Sequence, residues 1–281
     1  MHRLDPCLAA CAEPELKERL AVAGKAALAA GAVLRDFFDK PFQVSRKGAI
    51  DLVTEADVAA EKRVLAILAE AFPEDAILAE ESSNQYQGAP SGGTWIIDPL
   101  DGTTNFAHRF PWFAVSIAYA VGDASQVGII YAPMWDEFFC AGRSAGAWLN
   151  GRRLAVSAAA TLEESLLATG FPYTIREKSD DILAALAALL PKVQGVRRAG
   201  AAALDLAYVA AGRLDGFWET NLKPWDTAAG ILLLAEAGGT LTTYDGGPYS
   251  PYIPEIVASN GLIHQAMVQE LACFSRKAGS G

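Results

Sequence analysis

The sequence contains no long cluster of positive charge. No run of lysine and arginine exceeds two residues, and the chain has a net charge of −10 and an isoelectric point of about 4.8. Proteins that bind nucleic acid or anionic membranes through charge need clustered lysine and arginine side chains. The sequence therefore predicts neither a nucleic-acid groove nor a polybasic membrane patch.

Long apolar runs are also missing. No uninterrupted apolar stretch reaches the length of about 18 residues that a transmembrane helix needs. Residues 1–5 lack a charged region followed by a long apolar core, which a secretory signal peptide would require. We therefore expect a cytoplasmic protein without a membrane span.

Cysteine is scarce, and no two cysteines are separated by two residues. The four are Cys7, Cys11, Cys140 and Cys273. We expect all of them to be free thiols in a reducing compartment.

Apolar residues make up 52% of the 281 residues, which is enough for a sizeable core. Residues 1–12 are predicted to be a loose tail, and 13–281 one domain. Successive strands with tight turns over 113–150 predict an antiparallel sheet, whereas strands alternate with helices after residue 161. We place a boundary near residue 160, between subdomains 13–160 and 161–281. Helices are predicted over 14–39, 58–71, 180–190, 201–211, 225–237 and 262–274.

An apolar run followed by two carboxylates suggests chemistry. Residues 94–97 predict a buried strand, and Asp98 and Asp101 follow it three residues apart. A tight turn, favoured by Pro99, can aim both carboxylates and the Leu100 carbonyl oxygen at one point. Hard oxygen ligands of this kind suit Mg²⁺ or Mn²⁺ rather than a soft metal.

The next residues, Gly102, Thr103 and Thr104, stand at a predicted helix start. Their backbone N–H groups and two hydroxyls can bind an anion such as phosphate. Metal ligands beside a phosphate-binding turn indicate phosphoryl chemistry. The alternative is a strand that ends in an ordinary polar turn, because Asp-Pro is common in turns.

The whole stretch resembles the signature of a known family. This stretch resembles the signature of the inositol monophosphatase family, whose members are Mg²⁺-dependent and lithium-sensitive phosphatases. The matching residues are Asp98-Pro99-Leu100-Asp101-Gly102-Thr103-Thr104-Asn105-Phe106. The resemblance extends from about residue 21 to about residue 269. It implies an αβαβα sandwich of the inositol monophosphatase and fructose-1,6-bisphosphatase type, with an antiparallel N-terminal sheet and a mixed C-terminal sheet. It also implies an active site between the subdomains and a homodimer.

By this resemblance, the metal ligands come from three places in the chain. The carboxylates of Glu80, Asp98, Asp101 and Asp226, with the Leu100 carbonyl oxygen, are implied to hold two or three Mg²⁺ ions, with Mn²⁺ as an alternative. Asp226 belongs to a second family signature, Pro-Trp-Asp-x-Ala-x-Gly. From the residues alone, it is equally typical of a helix N-cap. Crowded carboxylates take up protons unless cations neutralise them, so a working site needs metal.

The resemblance assigns Asp57 and Thr103 to the attacking water and counts Glu80 among the catalytic groups. Lys47 is implied to lie in a flexible loop that closes over a metal. From the residues alone, Asp57 and Thr54 are also candidates for the N-cap of the following helix.

The substrate side is likewise implied by the resemblance. Glu219 stands seven residues before Asp226, where the family places a glutamate that binds a substrate hydroxyl. The loop 198–202 contributes Gly200 and Ala201, and Ala201 stands where many members carry serine or threonine. The identity of the polyol is therefore open. The implied phosphate-binding residues are Gly102, Thr103 and Thr104.

These features predict a Mg²⁺-dependent phosphomonoesterase that hydrolyses myo-inositol 1-phosphate, or a similar small polyol phosphate, by attack of metal-activated water. Alternatives are a fructose-1,6-bisphosphatase, a histidinol-phosphatase and a 3′-phosphoadenosine 5′-phosphate phosphatase. Relatives of the last two kinds tend to replace Thr104 and Asn105, so this pair favours the inositol-type branch. A non-enzymatic alternative is a regulatory binding protein of the transcription machinery, although the intact ligand set favours catalysis.

Overall fold

The computed structural model describes residues 3–41, 44–46, 52–82, 93–176 and 179–275. Its helices are α1 (Asp5–Ala10), α2 (Pro14–Phe38), α3 (Glu55–Ala71), α4 (Thr103–Ala107), α5 (Asp180–Leu189), α6 (Ala202–Ala210), α7 (Pro224–Glu236) and α8 (His264–Leu271). Its strands are β1 (Val44–Arg46), β2 (Leu52–Thr54), β3 (Ala76–Ala79), β4 (Gly93–Asp101), β5 (Ala114–Val121), β6 (Ala124–Ala132), β7 (Glu137–Gly142), β8 (Gly146–Leu149), β9 (Arg152–Arg153), β10 (Leu166–Thr169), β11 (Gly195–Arg197), β12 (Gly216–Thr220), β13 (Thr240–Thr242) and β14 (Glu255–Ser259). The six predicted helices are confirmed to within three residues at each end.

The first large sheet has seven strands in the order β3-β4-β5-β6-β7-β8-β9. Neighbouring strands from β4 onward are antiparallel, as predicted. β3 pairs with β4 in parallel, so the prediction of a purely antiparallel sheet is wrong at this edge. A parallel pair needs a connection of about a dozen residues, and residues 80–92 provide that length.

The second large sheet has five strands in the order β11-β10-β12-β14-β13. β10 runs parallel to β11 and β12, whereas β14 is antiparallel to β12 and β13. The prediction of a mixed C-terminal sheet is therefore confirmed. β1 and β2 form a separate antiparallel pair.

Helices and sheets alternate in five layers. α2 and α3 cover one face of the first sheet, and α6 and α7 fill the space between the two sheets. α5 and α8 cover the outer face of the second sheet, around Leu167, Trp218 and Val257. The layered αβαβα fold is thus the one that the family resemblance implies.

The prediction that residues 1–12 are a loose tail is wrong for residues 3–12, the part that the structure describes. Residues 5–10 form α1, and Leu4, Cys7 and Cys11 are buried in the same core as α2 and the first sheet. Arg3 also forms an ion pair with Asp136 at 2.5 Å. A helix of six residues is unstable alone, so this segment owes its structure to packing against distant residues.

The cysteines have the predicted chemical state. All four are free, with Cys7, Cys11 and Cys140 buried and Cys273 exposed. Within the described part of the chain, no helix has the length and apolar character required to span a bilayer.

α2 is unbroken although it contains Gly24 and Gly31. Both positions carry glycine because the neighbouring residues leave no room for a side chain. A Cβ atom at Gly31 would collide with the ring of Tyr131 on β6. Gly24 faces Leu4, where a Cβ atom would lie 2.8 Å from a methyl carbon. The glycines therefore let α1, α2 and the sheet approach closely.

Gly31→Ala should destabilise the protein although alanine is the better helix former. The helix-propensity gain is about 1 kcal/mol, whereas overpacking a tight interface costs about 1–3 kcal/mol. We expect a net loss in the free energy of unfolding, measured by urea denaturation. Adding Tyr131→Leu, which removes the ring, should cost less in the Gly31→Ala protein than in the wild type. A Gly31→Ala protein more stable than wild type would contradict this packing.

Candidate active site

A cavity of about 400 Å³ is lined by residues at the ends of β3, β4, β10 and β12 and at the starts of α6 and α7. The structure brings together nearly all the residues predicted for the site. Those that line the cavity are Glu80, Asp98, Leu100, Asp101, Gly102, Thr103, Thr104, Gly200, Ala201, Glu219 and Asp226. Asp57 lies behind this wall, hydrogen-bonded to Thr103. Lys47 falls outside the described residues.

The end of β4 carries two carboxylates and one carbonyl group to the cavity. Residues three apart on a regular strand point to opposite faces, but the pairing of β4 with β5 shifts register between Asp98 and Asp101. Asp98 Oδ1 accepts the Leu100 backbone N–H at 2.9 Å, which fixes the turn. Asp98 is 2% exposed and Asp101 8%. The irregular strand end thus turns both carboxylates toward one cavity.

Asp101 also joins β4 to the start of α6. Its Oδ2 accepts the Ala203 backbone N–H at 2.7 Å, and the N–H groups of Ala202 and Leu204 also interact with this carboxylate. The N-terminus of a helix favours negative charge because its first N–H groups have no intrahelical acceptor. The N-terminus of α6 therefore holds the Asp101 carboxylate in position.

Asp226 has two roles that the sequence presented as alternatives. Its Oδ2 accepts the Lys223 backbone N–H at 2.7 Å and caps the first turn of α7. The half-buried side chain also lines the cavity. Capping therefore fixes the carboxylate at the cavity wall and does not compete with a ligand role.

These carboxylates are crowded in a place from which water is largely excluded. Burial raises the pKa of Asp98 well above its usual range, and the charges of Glu80, Asp101 and Asp226 raise it further. Burial raises the pKa of Asp101 and of Asp226 to about 7 each, against opposing backbone hydrogen bonds. Burial and the charge of Asp226 raise the pKa of Glu219 to about 8. Without cations, these groups would hold protons near neutral pH.

The residues fit a hard divalent cation. The donors are carboxylate and carbonyl oxygens, and the pKa values of Asp226 and Glu219 stay raised although the charges of Lys223 and Arg198 lower them. In the described residues, no three acidic, histidine or cysteine side chains lie close enough together to hold a metal ion by themselves. Mg²⁺ usually keeps several waters and shares substrate phosphate oxygens. Carboxylates spread along a cavity wall leave coordination positions for these waters and phosphate oxygens.

Asp57 and Thr103 form a buried pair behind the carboxylates. Asp57 Oδ2 accepts the Thr54 backbone N–H at 2.8 Å and the Thr54 hydroxyl at 2.5 Å, so it completes the capping box of α3. Its Oδ1 lies 2.9 Å from the Thr103 hydroxyl, which is also 3.0 Å from the Leu100 carbonyl oxygen. Asp57 is therefore a helix cap and the partner of Thr103 at once.

Glu80 is held at the cavity by its neighbours. Its backbone N–H donates to the Ile97 carbonyl oxygen at 3.1 Å, and the Glu81 N–H donates to Glu61 Oε2 at 2.8 Å. Glu80 lines the cavity and Glu81 does not. A ligand role for Glu80 stays a prediction.

Glu219, predicted to contact the substrate, lines another part of the cavity. A Cβ atom at position 170 would overlap its carboxylate, so Gly170 makes the space that Glu219 occupies. Across the cavity, Gly200 has a φ of +86°, a left-handed conformation that glycine adopts without strain. Ala201 is 2% exposed and presents no hydroxyl.

Two features in or near this wall were not predicted from the sequence. Asp205 on α6 is buried, and both its carboxylate oxygens lack a hydrogen-bond partner among the described residues. Arg198 lies over the ring of Phe171 at 5.1 Å, and both line the cavity. The sequence held a weak indication for Asp205, because an acidic residue is unusual inside an apolar helix pattern. It held none for the Arg198–Phe171 contact, because that contact joins segments that are distant in the sequence.

The raised pKa values predict how the metal-free protein responds to pH. A carboxyl group whose pKa is higher in the folded state than its unfolded value of about 4 stabilises the protein fully below about pH 4. That contribution is lost as the pH rises through the folded pKa, which is about 7 for Asp101 and Asp226. We expect the melting temperature of EDTA-treated protein to fall between about pH 4 and pH 8, and Mg²⁺ to restore it most at the alkaline end. Differential scanning calorimetry with and without Mg²⁺ measures both effects.

Asp226→Asn is the matched variant for this experiment. It keeps an oxygen to accept the Lys223 N–H and removes one charge, so the melting temperature in EDTA should depend less on pH. Equal slopes in the two proteins, or a melting temperature that rises with pH, would contradict the charge crowding.

Comparisons with known proteins cover most of the chain. The model of the inositol monophosphatase family matches residues 15–277. An inositol-1-monophosphatase from Synechocystis sp. is 47% identical over 259 residues, which cover 92% of this chain and 90% of that protein. The Nus factor SuhB of Escherichia coli K12 is 42% identical over 254 residues, covering 90% of this chain and 95% of its own.

A solved structure shows the same fold. The inositol monophosphatase from Anabaena (Nostoc) sp. PCC 7120 superposes with a TM-score of 0.83 at 45% identity, covering 92% of this chain and 97% of that one. Since the family model spans most of the chain and these relatives cover nine-tenths of it, the protein belongs to the inositol monophosphatase family, a family of phosphatases.

Proposed function

We propose that the protein hydrolyses a small phosphorylated polyol, myo-inositol 1-phosphate first among them, at the cavity described above. One observation carries the proposal: Asp98, Asp101, Asp226 and Glu219 line one cavity beside the Thr103–Asp57 hydrogen bond. The relatives named inositol monophosphatases support this choice of substrate.

The proposed cofactor is Mg²⁺, as two or three ions, with Mn²⁺ as the alternative. Glu80, Asp98, Asp101 and Asp226 would hold it, together with the Leu100 carbonyl oxygen. When bound, such ions supply an activated water and neutralise charge on the phosphate and the leaving oxygen. We also propose that lithium inhibits the enzyme, as the family resemblance implies.

Thr103 and Asp57 are suited to direct the attacking water. The Thr103 hydroxyl has one proton, and donating it to Asp57 leaves the Thr103 oxygen as an acceptor for a water proton. A water held in this way points a lone pair toward the phosphorus atom. The first N–H groups of α4, after Gly102, are placed to hold the phosphate oxygens. No covalent phospho-enzyme is required.

Glu219 favours a neutral polyol beside the phosphate. When ionised, its carboxylate accepts hydrogen bonds from substrate hydroxyls and repels a second anionic group. Fructose 1,6-bisphosphate therefore ranks below inositol phosphate, as a second substrate. Relatives that act on histidinol phosphate or 3′-phosphoadenosine 5′-phosphate tend to replace Thr104 and Asn105. These two substrates therefore rank lower still.

A second candidate function is regulatory binding to the transcription machinery. The finding that favours it is the 42% identity to a protein named a Nus factor. The complete carboxylate set favours retained catalysis, so the two roles are compatible. We further propose a cytoplasmic homodimer; light scattering tests the dimer, and a pull-down compared with a phosphatase assay separates the two functions.

Phosphate release from a panel of phosphomonoesters tests the proposed function. The panel holds myo-inositol 1-phosphate, fructose 1,6-bisphosphate, histidinol phosphate and 3′-phosphoadenosine 5′-phosphate, each with Mg²⁺ and with EDTA. We expect the highest kcat/KM for inositol phosphate, no turnover in EDTA, and inhibition by millimolar lithium. Full turnover after exhaustive EDTA treatment would rule out the metal-dependent reaction.

Glu219→Gln should change substrate choice. A hydrogen bond to a charged group contributes about 1.5–3 kcal/mol, so KM for inositol 1-phosphate should rise roughly tenfold to a hundredfold. KM for phenyl phosphate, which has no hydroxyls to bind, should change little. Steady-state kinetics on both substrates measures the difference.

Glu236→Gln is the matched control. Glu236 accepts the backbone N–H groups of Ser144 and Gly146 and does not line the cavity, so its loss should leave both KM values unchanged. If Glu219→Gln raises KM equally for both substrates, Glu219 supports the fold or the metal ions instead of the substrate.

Thr103→Ala and Asp57→Asn should lower kcat without weakening metal binding. A positioned proton acceptor contributes roughly 10²–10⁴-fold, and each single variant should lose about that much with KM little changed. Because both residues act on one water, the double variant should lose far less than the product of the single losses. The measurements are kcat and KM of all four proteins at saturating Mg²⁺, with calorimetric titration of Mg²⁺.

Two outcomes would contradict the shared water. One is that the losses multiply in the double variant; the other is that the single variants fail to bind Mg²⁺. If Asp57 serves only as the cap of α3, Asp57→Asn should lower the melting temperature and leave the rate per folded molecule intact.

A further inference from the structure

Asn105 lies behind the substrate-side wall, outside the residues that line the cavity. Its Nδ2 is 2.8 Å from the Trp112 carbonyl oxygen and 2.8 Å from that of Ala199. The Gly200 carbonyl oxygen is 3.3 Å away. One side-chain amide therefore ties α4 to two other segments of the chain, the loop before β5 and the loop before α6.

The position requires a donor of two hydrogen bonds. All three partners are carbonyl oxygens, which only accept. The amide nitrogen supplies two N–H groups, one for Trp112 and one shared between Ala199 and Gly200. An aspartate of the same shape would supply none and would place its charge against three carbonyl dipoles. Carbonyl groups left without a donor in a partly buried place weaken the local structure.

The loop that Asn105 holds shapes the substrate side of the cavity. Gly200 and Ala201 line the cavity, and Gly200 has a left-handed backbone with a φ of +86°. Ala201 immediately precedes α6, whose first turn holds Asp101 through the Ala203 N–H. Asp101 thus has its own support from α6, whereas the backbone of 199–200 is tied to α4 by the Asn105 amide.

We propose that Asn105 is a positioning residue for the substrate. Its amide fixes the backbone of 199–201, so that this wall keeps the shape against which the polyol binds. The inference rests on the proposed function. The side-chain partners of Asn105 are carbonyl groups and not the carboxylates of the site, so its loss affects polyol binding and leaves metal binding and the chemical step in place.

Asn105→Asp and Asn105→Ala test this role by kinetics. KM for myo-inositol 1-phosphate should rise at least about tenfold in both variants, with the larger rise in Asn105→Asp. KM for phenyl phosphate, kcat at saturation and the calorimetric affinity for Mg²⁺ should stay within about threefold of wild type. An equal rise in KM on both substrates, or a fall in kcat with KM unchanged, would overturn the proposal.

Asn260→Asp is the matched control. Asn260 is buried, and its Nδ2 donates to the Ser157 hydroxyl at 3.1 Å and to the Ala159 carbonyl oxygen at 2.8 Å, away from the cavity. The same exchange of donor for acceptor there should lower the melting temperature and leave both KM values unchanged. A change in KM for inositol 1-phosphate in this control as large as in Asn105→Asp would mean that general destabilisation explains the kinetics.

Amide hydrogen exchange tests the inference without relying on activity. The amides of 199–201 should exchange at least about tenfold faster in Asn105→Asp than in wild type, and at the wild-type rate in Asn260→Asp. Unchanged exchange at 199–201 would overturn the inference whatever the substrate is. Failure of the proposed function would instead appear in the wild type, as a lack of turnover on the phosphomonoester panel. If Asn105→Asp does not fold, Asn105→Ala carries the same measurements.

Discussion

Negative charges that the fold forces together are the constraint on which the site depends. Asp98 and Asp101 lie at the end of β4, and Asp226 lies in the first turn of α7. All three line the cavity. Each is held by a backbone N–H group, from Leu100, Ala203 and Lys223 respectively. These hydrogen bonds fix the carboxylates in place but leave their pKa values raised by burial and mutual repulsion. The remaining charge is what a cation would neutralise.

The same side chains serve local structure and the proposed chemistry. Asp57 completes the capping box of α3 and also binds Thr103, and Asp226 caps α7 and lines the cavity. The two interpretations of each aspartate in the sequence are therefore compatible. A cap fixes the position of a carboxylate through a short, rigid loop, which is what a ligand or a proton acceptor needs. Substitutions at these positions affect stability and rate together, so rates must be compared per folded molecule.

Local patterns in the sequence predicted the helices and the turn that carries Asp98 and Asp101, because apolar periodicity and turn residues act over a few positions, whereas the other predicted residues of the cavity came from the family resemblance. α2 and α7 and the turn after 94–97 are examples. Features that arise from contacts between distant segments were not predictable in this way. α1 is ordered only because Leu4 and Cys7 enter the core, and the parallel pairing of β3 depends on where its chain returns to the sheet. The space that Gly170 leaves for Glu219 depends on the pairing of β10 with β12.

Without metal, the buried carboxylates should hold protons until a divalent cation replaces them. Isothermal titration of Mg²⁺ into EDTA-treated protein tests it most directly, in buffers of different ionisation enthalpy, because the dependence of the heat on the buffer counts released protons. With pKa values of about 7 for Asp101 and Asp226, we expect binding at about pH 6.5 to release roughly one proton or more, and binding at about pH 9 to release fewer. Mg²⁺ binding without proton release at the lower pH would contradict the account.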